Sequence, residues 1–156
     1  MTPNISNMFL PFSDEPNGNH RIYNKYSVDV SSYMDKIKDK TAFGEFIPNV
    51  FHEYNDESQL ELSRISHIID SLELTDKGII GSLTILDTFH GKIIKKLLES
   101  ELAEFVVRPR LIGYVDFEHV VHASKIISFD IMPSFMDTFN PLNYRNIRFK
   151  LKNNNE

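Results

Sequence analysis

The residues with the greatest capacity for chemistry are histidines and serines in stretches that alternate as strands do. Ser66 and His67 are neighbours in one such stretch, and Ser124 and Ser128 occupy polar positions of a later one. A serine hydroxyl becomes a nucleophile when an imidazole accepts its proton and a carboxylate orients the imidazole. Serines in strands more often form only the polar face of a sheet. His67 therefore has two open roles, a catalytic base or a half-buried strand histidine with a hydrogen-bond partner.

A second group with chemical potential is the arginine pair Arg108 and Arg110, which flanks Pro109. A guanidinium donates paired hydrogen bonds to a carboxylate, so these side chains either bind an acidic group or lie in solvent. His119 and His122 have a spacing that suits metal ligation on a helix, but their segment is predicted to be strand or turn. We predict a binding role for the two arginines and no metal site.

The composition excludes several classes of function. The 156 residues include no cysteine, which removes disulfides, thiolate catalysis and thiolate zinc sites. The formal net charge of −5 disfavours general binding to nucleic acid, which needs a basic face. No apolar run approaches the roughly 20 residues that cross a bilayer, and no basic region followed by an apolar stretch opens the chain. We expect no nucleic-acid partner, no membrane partner and no cofactor.

Periodicity predicts the elements that must position these side chains. Residues 79–86 alternate as a strand, and Gly78 before them suits a hairpin turn. Residues 93–102 change to helical spacing, with Asp87 or Thr88 as the N-cap. A second, short helix is expected around residues 33–40.

The rest of the central region is predicted to consist of short strands. These are residues 105–107, 111–117 and 125–132, and Pro133 ends the last of them. Several strands with one long helix define an α+β fold that is strand-dominated. We predict a partly closed β-barrel with flanking helices.

The two ends of the sequence differ from its middle. Residues 1–20 contain three prolines and are predicted to be an irregular N-terminal arm, whereas residues 135–156 are predicted to be a C-terminal arm with a polar tail. Residues 21–134 form the predicted domain. Apolar side chains in irregular arms must be covered either by their own domain or by a neighbouring protein. We predict that they dock on a partner through five aromatic residues: Phe9, Phe12, Phe135, Phe139 and Tyr144.

Four stretches, in this order and spacing, carry a resemblance to a known family. They are residues 43–46 (FGEF), 62–69 (LSRISHII), 81–93 (GSLTILDTFHGKI) and 128–134 (SFDIMPS). Together they resemble the prohead, or capsid maturation, serine proteases of tailed phages over residues 44–134. The resemblance implies a compact β-barrel flanked by helices, related to the assembly-protease fold of herpesviruses. It also implies a serine nucleophile shortly after the long helix, served by a histidine.

The residues expected at the catalytic positions cannot perform that chemistry. With Arg110 and Gly113 aligned to the family pattern, the two family serines fall on Arg108 and Pro109. A guanidinium is not a nucleophile and proline has no side-chain heteroatom. The expected histidine position carries Ile47, and His52 lies just beyond it. If the chain is active, the fallback catalytic residues are His52, His67 and Asp130.

The resulting leading hypothesis is a non-catalytic virion or head-assembly protein of a phage, which uses a protease-like fold as an interaction scaffold. Its expected partners are other virion proteins (capsid, neck or scaffold), with a homo-oligomer left open, in the virion or the host cytoplasm. A first alternative is a diverged, active serine protease that cleaves capsid scaffold. A second alternative is a soluble regulatory or host-directed phage protein that binds through Arg108 and Arg110.

Overall fold

The computed structural model describes residues 4–49 and 52–134. Within this part of the chain there are six strands, two helices and one short turn of 3-10 helix, Leu62–Arg64. In chain order the strands and helices are β1 (Asn4–Pro11), α1 (Ser31–Lys38), β2 (Phe43–Glu45), β3 (Ile65–Thr75), β4 (Gly78–Ile85), α2 (Phe89–Glu99), β5 (Phe105–Val115) and β6 (Val121–Pro133). The predicted strand-dominated α+β class is confirmed.

The first sheet is antiparallel with the strand order β1-β4-β3-β2. The predicted hairpin is present between β3 and β4, where Thr75 pairs with Gly78 and Gly78 has a φ of 149°. An L-amino acid with a side chain rarely adopts this φ, so glycine is required at this turn. Ile79, Leu83 and Ile85 are all completely buried, as the alternation predicted.

The N-terminal region differs from the predicted irregular arm. Residues 4–11 form β1, which pairs along β4 from Asn4 opposite Thr84 to Pro11 opposite Gly78. Phe9 is completely buried and its ring lies 5.3 Å from that of Phe129. Phe9 therefore has no surface to offer a partner, because it fills the core of its own domain.

The second sheet consists of β5 and β6, paired antiparallel over their full length. Sequence reasoning divided β5 into two short strands, but a single strand runs through Arg108, Pro109 and Arg110. β6 ends at Pro133 as predicted. The register shifts twice, on either side of Leu111 and Ile112, and each shift adds one residue to β6. Such bulges bend and twist a hairpin.

The two sheets meet where the chain leaves β2. The amide of Ile47 donates a hydrogen bond of 2.8 Å to the carbonyl oxygen of Ile131 in β6, beside the parallel bridge between Phe46 and Ile131. The described strands thus form two contacting sheets. The partly closed barrel stays a prediction.

Both predicted helices are present. α1 lies where the short helix was expected, and its Tyr33 packs edge-on against Phe129 with ring centroids 5.3 Å apart. At the start of α2, the Thr88 hydroxyl accepts a hydrogen bond from the amide of Gly91 at 3.1 Å and donates to the carbonyl of Ile65. Of the two predicted N-caps, Thr88 is therefore the one used. Neither described helix is long and apolar enough to cross a membrane.

Candidate functional site

The most concentrated set of charges in the interior is an ion network around Arg110 of β5. Its Nη2 lies 2.9 Å from Glu45 Oε2 and 2.9 Å from Asp130 Oδ2, and its Nε donates to the same Asp130 oxygen at 2.9 Å. The Glu45 side chain is 1% exposed and that of Asp130 is 4% exposed. One guanidinium thus neutralises two buried carboxylates that come from different sheets.

Backbone groups and neighbouring side chains complete this network. Asp130 Oδ1 accepts from the Glu45 amide at 3.1 Å and from the Ser128 hydroxyl at 2.8 Å. Glu45 Oε2 also accepts from the amide of Glu61 at 3.1 Å. Asp130, a fallback catalytic residue, is therefore fully occupied as a structural hydrogen-bond acceptor.

The segment before β3 is held against Arg110. Arg110 Nη1 donates to the carbonyl oxygens of Glu57 and Gln59 at 3.3 and 3.1 Å. The ring of Tyr54 lies 4.7 Å from the guanidinium carbon of Arg110. Stacking on an aromatic face is a contact that a planar guanidinium makes well. Arg110 consequently organises three separate parts of the chain.

Burial and charge act in opposite directions on these groups. Burial raises the pKa of Asp130 above its usual range, although the Arg110 charge and the donors from Glu45 and Ser128 oppose that rise. The pKa of Arg110 is raised, because the carboxylates of Asp130 and Glu45 outweigh its desolvation. Removing the cation would leave two carboxylates with no water to replace it.

A serine and a histidine do form a close pair in β3. Ser66 Oγ lies 2.7 Å from Nδ1 of His67, and Nε2 of His67 lies 2.7 Å from the carbonyl oxygen of Phe129. Because a carbonyl only accepts, Nε2 carries the proton, and Nδ1 therefore accepts from the Ser66 hydroxyl. The imidazole thus accepts a hydrogen bond from the Ser66 hydroxyl, as a catalytic base does from a serine nucleophile.

The surroundings of this pair leave no room for a substrate. Ser66 and His67 are both completely buried. A Cβ added at Gly44 would lie 2.2 Å from His67 Nε2 and 2.3 Å from the Phe129 carbonyl oxygen, so glycine is the residue that fits there. Burial lowers the pKa of His67 to about 4, against the opposing effect of the Phe129 carbonyl. The arrangement is that of a neutral core histidine joining β3 to β6.

The positions that replace the expected serines are buried as well. Arg108 is 1% exposed, and its Nη1 donates to the carbonyl of Val107 at 2.5 Å. Pro109 is buried beside it, opposite Phe129. The Arg110 side chain is only 11% exposed and binds carboxylates of its own chain. The two guanidinium groups predicted to bind a partner therefore present little surface to one.

His52, the displaced candidate for the base, lies near the same network. Desolvation and the positive charge of Arg64 lower its pKa, whereas the carboxylates of Glu45 and Glu61 act to raise it. Its ring packs at a right angle to Tyr54, with centroids 4.7 Å apart. Among the described residues, Nε2 of His52 is buried and has no hydrogen-bond partner. No serine is brought to it within that part of the chain.

A cleft of about 180 Å³ opens beside the ion network. Among the described residues, those that line it include neither a serine nor a histidine: they are Glu45, Tyr54, Asn55, Asp56, Gln59, Leu60 and Glu61. In the described part of the chain, this cleft therefore contains no nucleophile paired with a base.

Residues 4–49 and 52–134 contain no group of three or more histidine or acidic side chains that could hold a metal ion. His122 instead pairs with Asp116 Oδ2 at 2.7 Å and stacks on Tyr114. Phe12, one of the predicted docking residues, is partly buried against its own core. Three further predicted docking residues, Phe135, Phe139 and Tyr144, lie outside the described residues.

Sequence reasoning missed the importance of Glu45. It was noted only as part of a motif, yet it accepts from Arg110 and Glu61 and lies 3.8 Å from Nε of Arg64. The available signal was an acidic residue between apolar neighbours, Phe43 to Ile47, in a predicted strand. A carboxylate in that setting must be paired, and the sequence offered Arg64 and Arg110 as its cations.

This arrangement of sheets and helices is similar to that of a bacteriophage capsid assembly protease. The similar solved structure is that of the bacteriophage T4 capsid assembly protease, gp21, with a TM-score of 0.65 over 83% of this chain and 80% of that one. The two sequences are 18% identical, so the likeness establishes the fold alone. The resemblance predicted from the sequence is thereby confirmed for the fold.

No protein-family model matches the chain, and no curated protein matches it in sequence.

Replacing His67 with glutamine tests the buried, neutral imidazole. Burial lowers the pKa of His67 from 6.5 to about 4 on folding, so protonation favours the unfolded chain, and stability is lost as the pH falls from 6.5 to about 4. The loss attributable to His67 is ~3 kcal/mol. Urea denaturation at several pH values should show a smaller loss for His67→Gln than for the natural chain. Identical pH slopes would contradict the assignment.

Replacing Arg110 with methionine tests the ion network. The substitution leaves Glu45 and Asp130 buried without a cation, which should reduce the free energy of unfolding by about 3–5 kcal/mol at pH 7. Lys95→Met is the matched control, because it removes a cation whose partner, Asp87, is exposed. We expect little change in the control. If both variants lose equally little free energy of unfolding, the ion network does not stabilise the fold.

Proposed function

We propose that this chain is a head-assembly component of a tailed phage that keeps a protease-like fold without cleaving peptide bonds. Three features support the absence of catalysis. The positions expected to carry the serine are the buried residues Arg108 and Pro109, the Ser66–His67 pair is closed to substrate, and the cleft has no nucleophile. The first feature carries the proposal, because loss of a serine nucleophile typically lowers the rate by about four to six orders of magnitude.

The proposed role in assembly rests on the likeness in fold to the T4 capsid assembly protease. In this proposal the chain acts in the virion or in the host cytoplasm and binds other virion proteins of the same phage, either the capsid, the neck or the scaffold. The domain would serve as a rigid support, since Arg110, Glu45 and Asp130 bind one another and join its own two sheets. Binding to other virion proteins would then depend on surfaces away from Arg108 and Pro109, the positions expected to carry the serine.

A diverged, active protease is the second candidate, and one observation favours it. The Ser66 hydroxyl lies 2.7 Å from an imidazole nitrogen, which is the distance of an activated serine. Both residues are completely buried, so activity would require β2 to separate from β3 and expose the pair. The regulatory alternative, with Arg108 and Arg110 as its binding surface, would likewise require buried guanidinium groups to leave their partners.

The absence of catalysis is tested with the purified full chain and a serine-directed fluorophosphonate probe. We expect no labelling, and we expect no cleavage of capsid or scaffold proteins from the same phage when they are co-expressed with the chain. The chain itself should keep its mass of 18.1 kDa. The Ser66→Ala and Ser128→Ala variants are the matched controls. Labelling or cleavage that disappears in Ser66→Ala would favour the protease instead.

The role in assembly is tested independently by quantitative mass spectrometry of purified proheads and mature particles. We expect the chain at a fixed copy number relative to the major capsid protein in at least one of the two. Absence from both, together with absence from assembly intermediates, would contradict a head-assembly function whatever the outcome of the probe experiment.

A further inference from the structure

The cleft of about 180 Å³ beside the ion network carries an excess of negative charge. Three of the residues that line it are acidic: Glu45 is buried, Glu61 is half-buried and Asp56 is exposed. Their carboxylates therefore extend from the interior of the domain to its surface. The guanidinium groups that reach Glu45 belong to Arg64 and Arg110, and Arg110 is shared with a carboxylate of the second sheet. Two cations face four carboxylates, so the cleft favours a positively charged ligand.

One oxygen of Glu45, the innermost lining residue, has no donor to bind it. Glu45 Oε2 accepts from Nη2 of Arg110 at 2.9 Å and from the amide of Glu61 at 3.1 Å. Oε1 is also buried, but among the described residues it has no hydrogen-bond partner. Nε of Arg64 lies 3.8 Å from it, which is beyond hydrogen-bond distance. A buried carboxylate oxygen without a donor costs free energy, so Oε1 is a position at which a donor from a ligand would be bound.

The two outer carboxylates of the cleft are oriented by their own neighbours. Asp56 Oδ1 accepts from the amide of Ser58 at 2.9 Å and from its hydroxyl at 2.6 Å. Glu61 Oε1 accepts from Nδ2 of Asn55 at 3.2 Å. Each of these hydrogen bonds engages one oxygen of the carboxylate and limits its rotation. A ligand would therefore meet carboxylates that are already ordered, which reduces the entropy lost on binding.

The size and the donor requirement of the cleft favour an arginine side chain over other cations. Drug-sized ligands occupy pockets of about 300–1,000 Å³, so the volume here suits a group the size of one side chain. Within residues 4–49 and 52–134 no three acidic or histidine side chains converge as ligands for a metal ion, so a point charge is a poor match. A guanidinium spreads its N–H donors over a plane, whereas a lysine ammonium is compact. Tyr54 and Leu60, which also line the cleft, offer apolar surface to a methylene stem.

From the excess charge, the unpaired Glu45 oxygen and the size, we propose that this cleft binds an arginine side chain of a partner protein. Its guanidinium would donate to Glu45 Oε1 and interact with the carboxylates of Asp56 and Glu61, while its stem would pack against Tyr54 and Leu60. Because exposed residues form the rim of the cleft, the partner's backbone would lie on the surface of the domain. The site goes beyond the proposed function and depends neither on a role in assembly nor on the absence of catalysis.

NMR titration of the full, ¹⁵N-labelled chain with short peptides tests the proposal. The probes are acetyl-Gly-Gly-Arg-Gly-Gly-amide and the same peptide with lysine or citrulline in place of arginine, since citrulline keeps the shape of arginine and removes its charge. We expect the arginine peptide to cause saturable shifts of the amides of residues 45 and 54–61. The lysine peptide should bind about tenfold more weakly, and the citrulline peptide should cause no saturable shift. The proposal is overturned if the arginine peptide causes no saturable shift or if either substituted peptide binds as tightly.

A matched pair of variants tests whether the peptide occupies the cleft. D56N/E61Q removes two charges but keeps the oxygens that accept from Ser58 and Asn55, so the fold should be preserved. We expect the Kd of the arginine peptide to rise about fivefold or more. D76N/E99Q removes the same charge at two exposed positions that do not line the cleft, and it should leave the Kd unchanged.

Urea denaturation of both variants verifies that they are folded. Equal Kd values in the two variants would overturn the proposal, because the peptide would then bind elsewhere. The comparison of arginine with citrulline uses the natural chain, so it decides the question even if a variant fails to fold.

Discussion

One guanidinium group joins the two halves of this domain. Arg110 of β5 contacts Glu45 of the first sheet and Asp130 of the second, and all three side chains are almost completely removed from water. Two carboxylates so close together would repel each other strongly without the cation between them. Arg110 therefore stabilises this packing of the two sheets. It also donates to the carbonyl oxygens of Glu57 and Gln59, while Glu45 accepts from the amide of Glu61.

Ser66 and His67 have the spacing of a catalytic pair, but a substrate has no access to them. The hydroxyl and the imidazole are at hydrogen-bond distance, and the tautomer is the one a general base needs. Yet the second nitrogen of the imidazole is fixed to the Phe129 carbonyl, and Gly44 lies directly against the ring. A substrate carbonyl has no path to the serine. The same contacts that would orient a catalytic histidine here bind two strands together.

The parts of the fold that follow from local sequence were predictable. The β3–β4 hairpin and α2 depend on a turn glycine, a threonine cap and short-range periodicity. β5 was divided incorrectly because an Arg-Pro-Arg sequence is typical of a loop. It continues as a strand since carboxylates distant in the sequence neutralise Arg110. β1 was missed for a related reason, because only its pairing with β4, more than 60 residues away, makes Pro11 and the polar residues of β1 part of a sheet. Sequence alone does not reveal such partners.

The contact between Glu45 and Asp130 has a kinetic consequence, since it joins residues 85 positions apart in the chain. Closing so long a loop costs entropy that local contacts do not, so each hairpin can form well before the two sheets meet. Until that moment the three ionised groups remain hydrated. Contacts that form only after the folding barrier slow unfolding and leave the folding rate nearly unchanged. In this order of events the ion network forms after the two hairpins, and its rupture determines the lifetime of the native state.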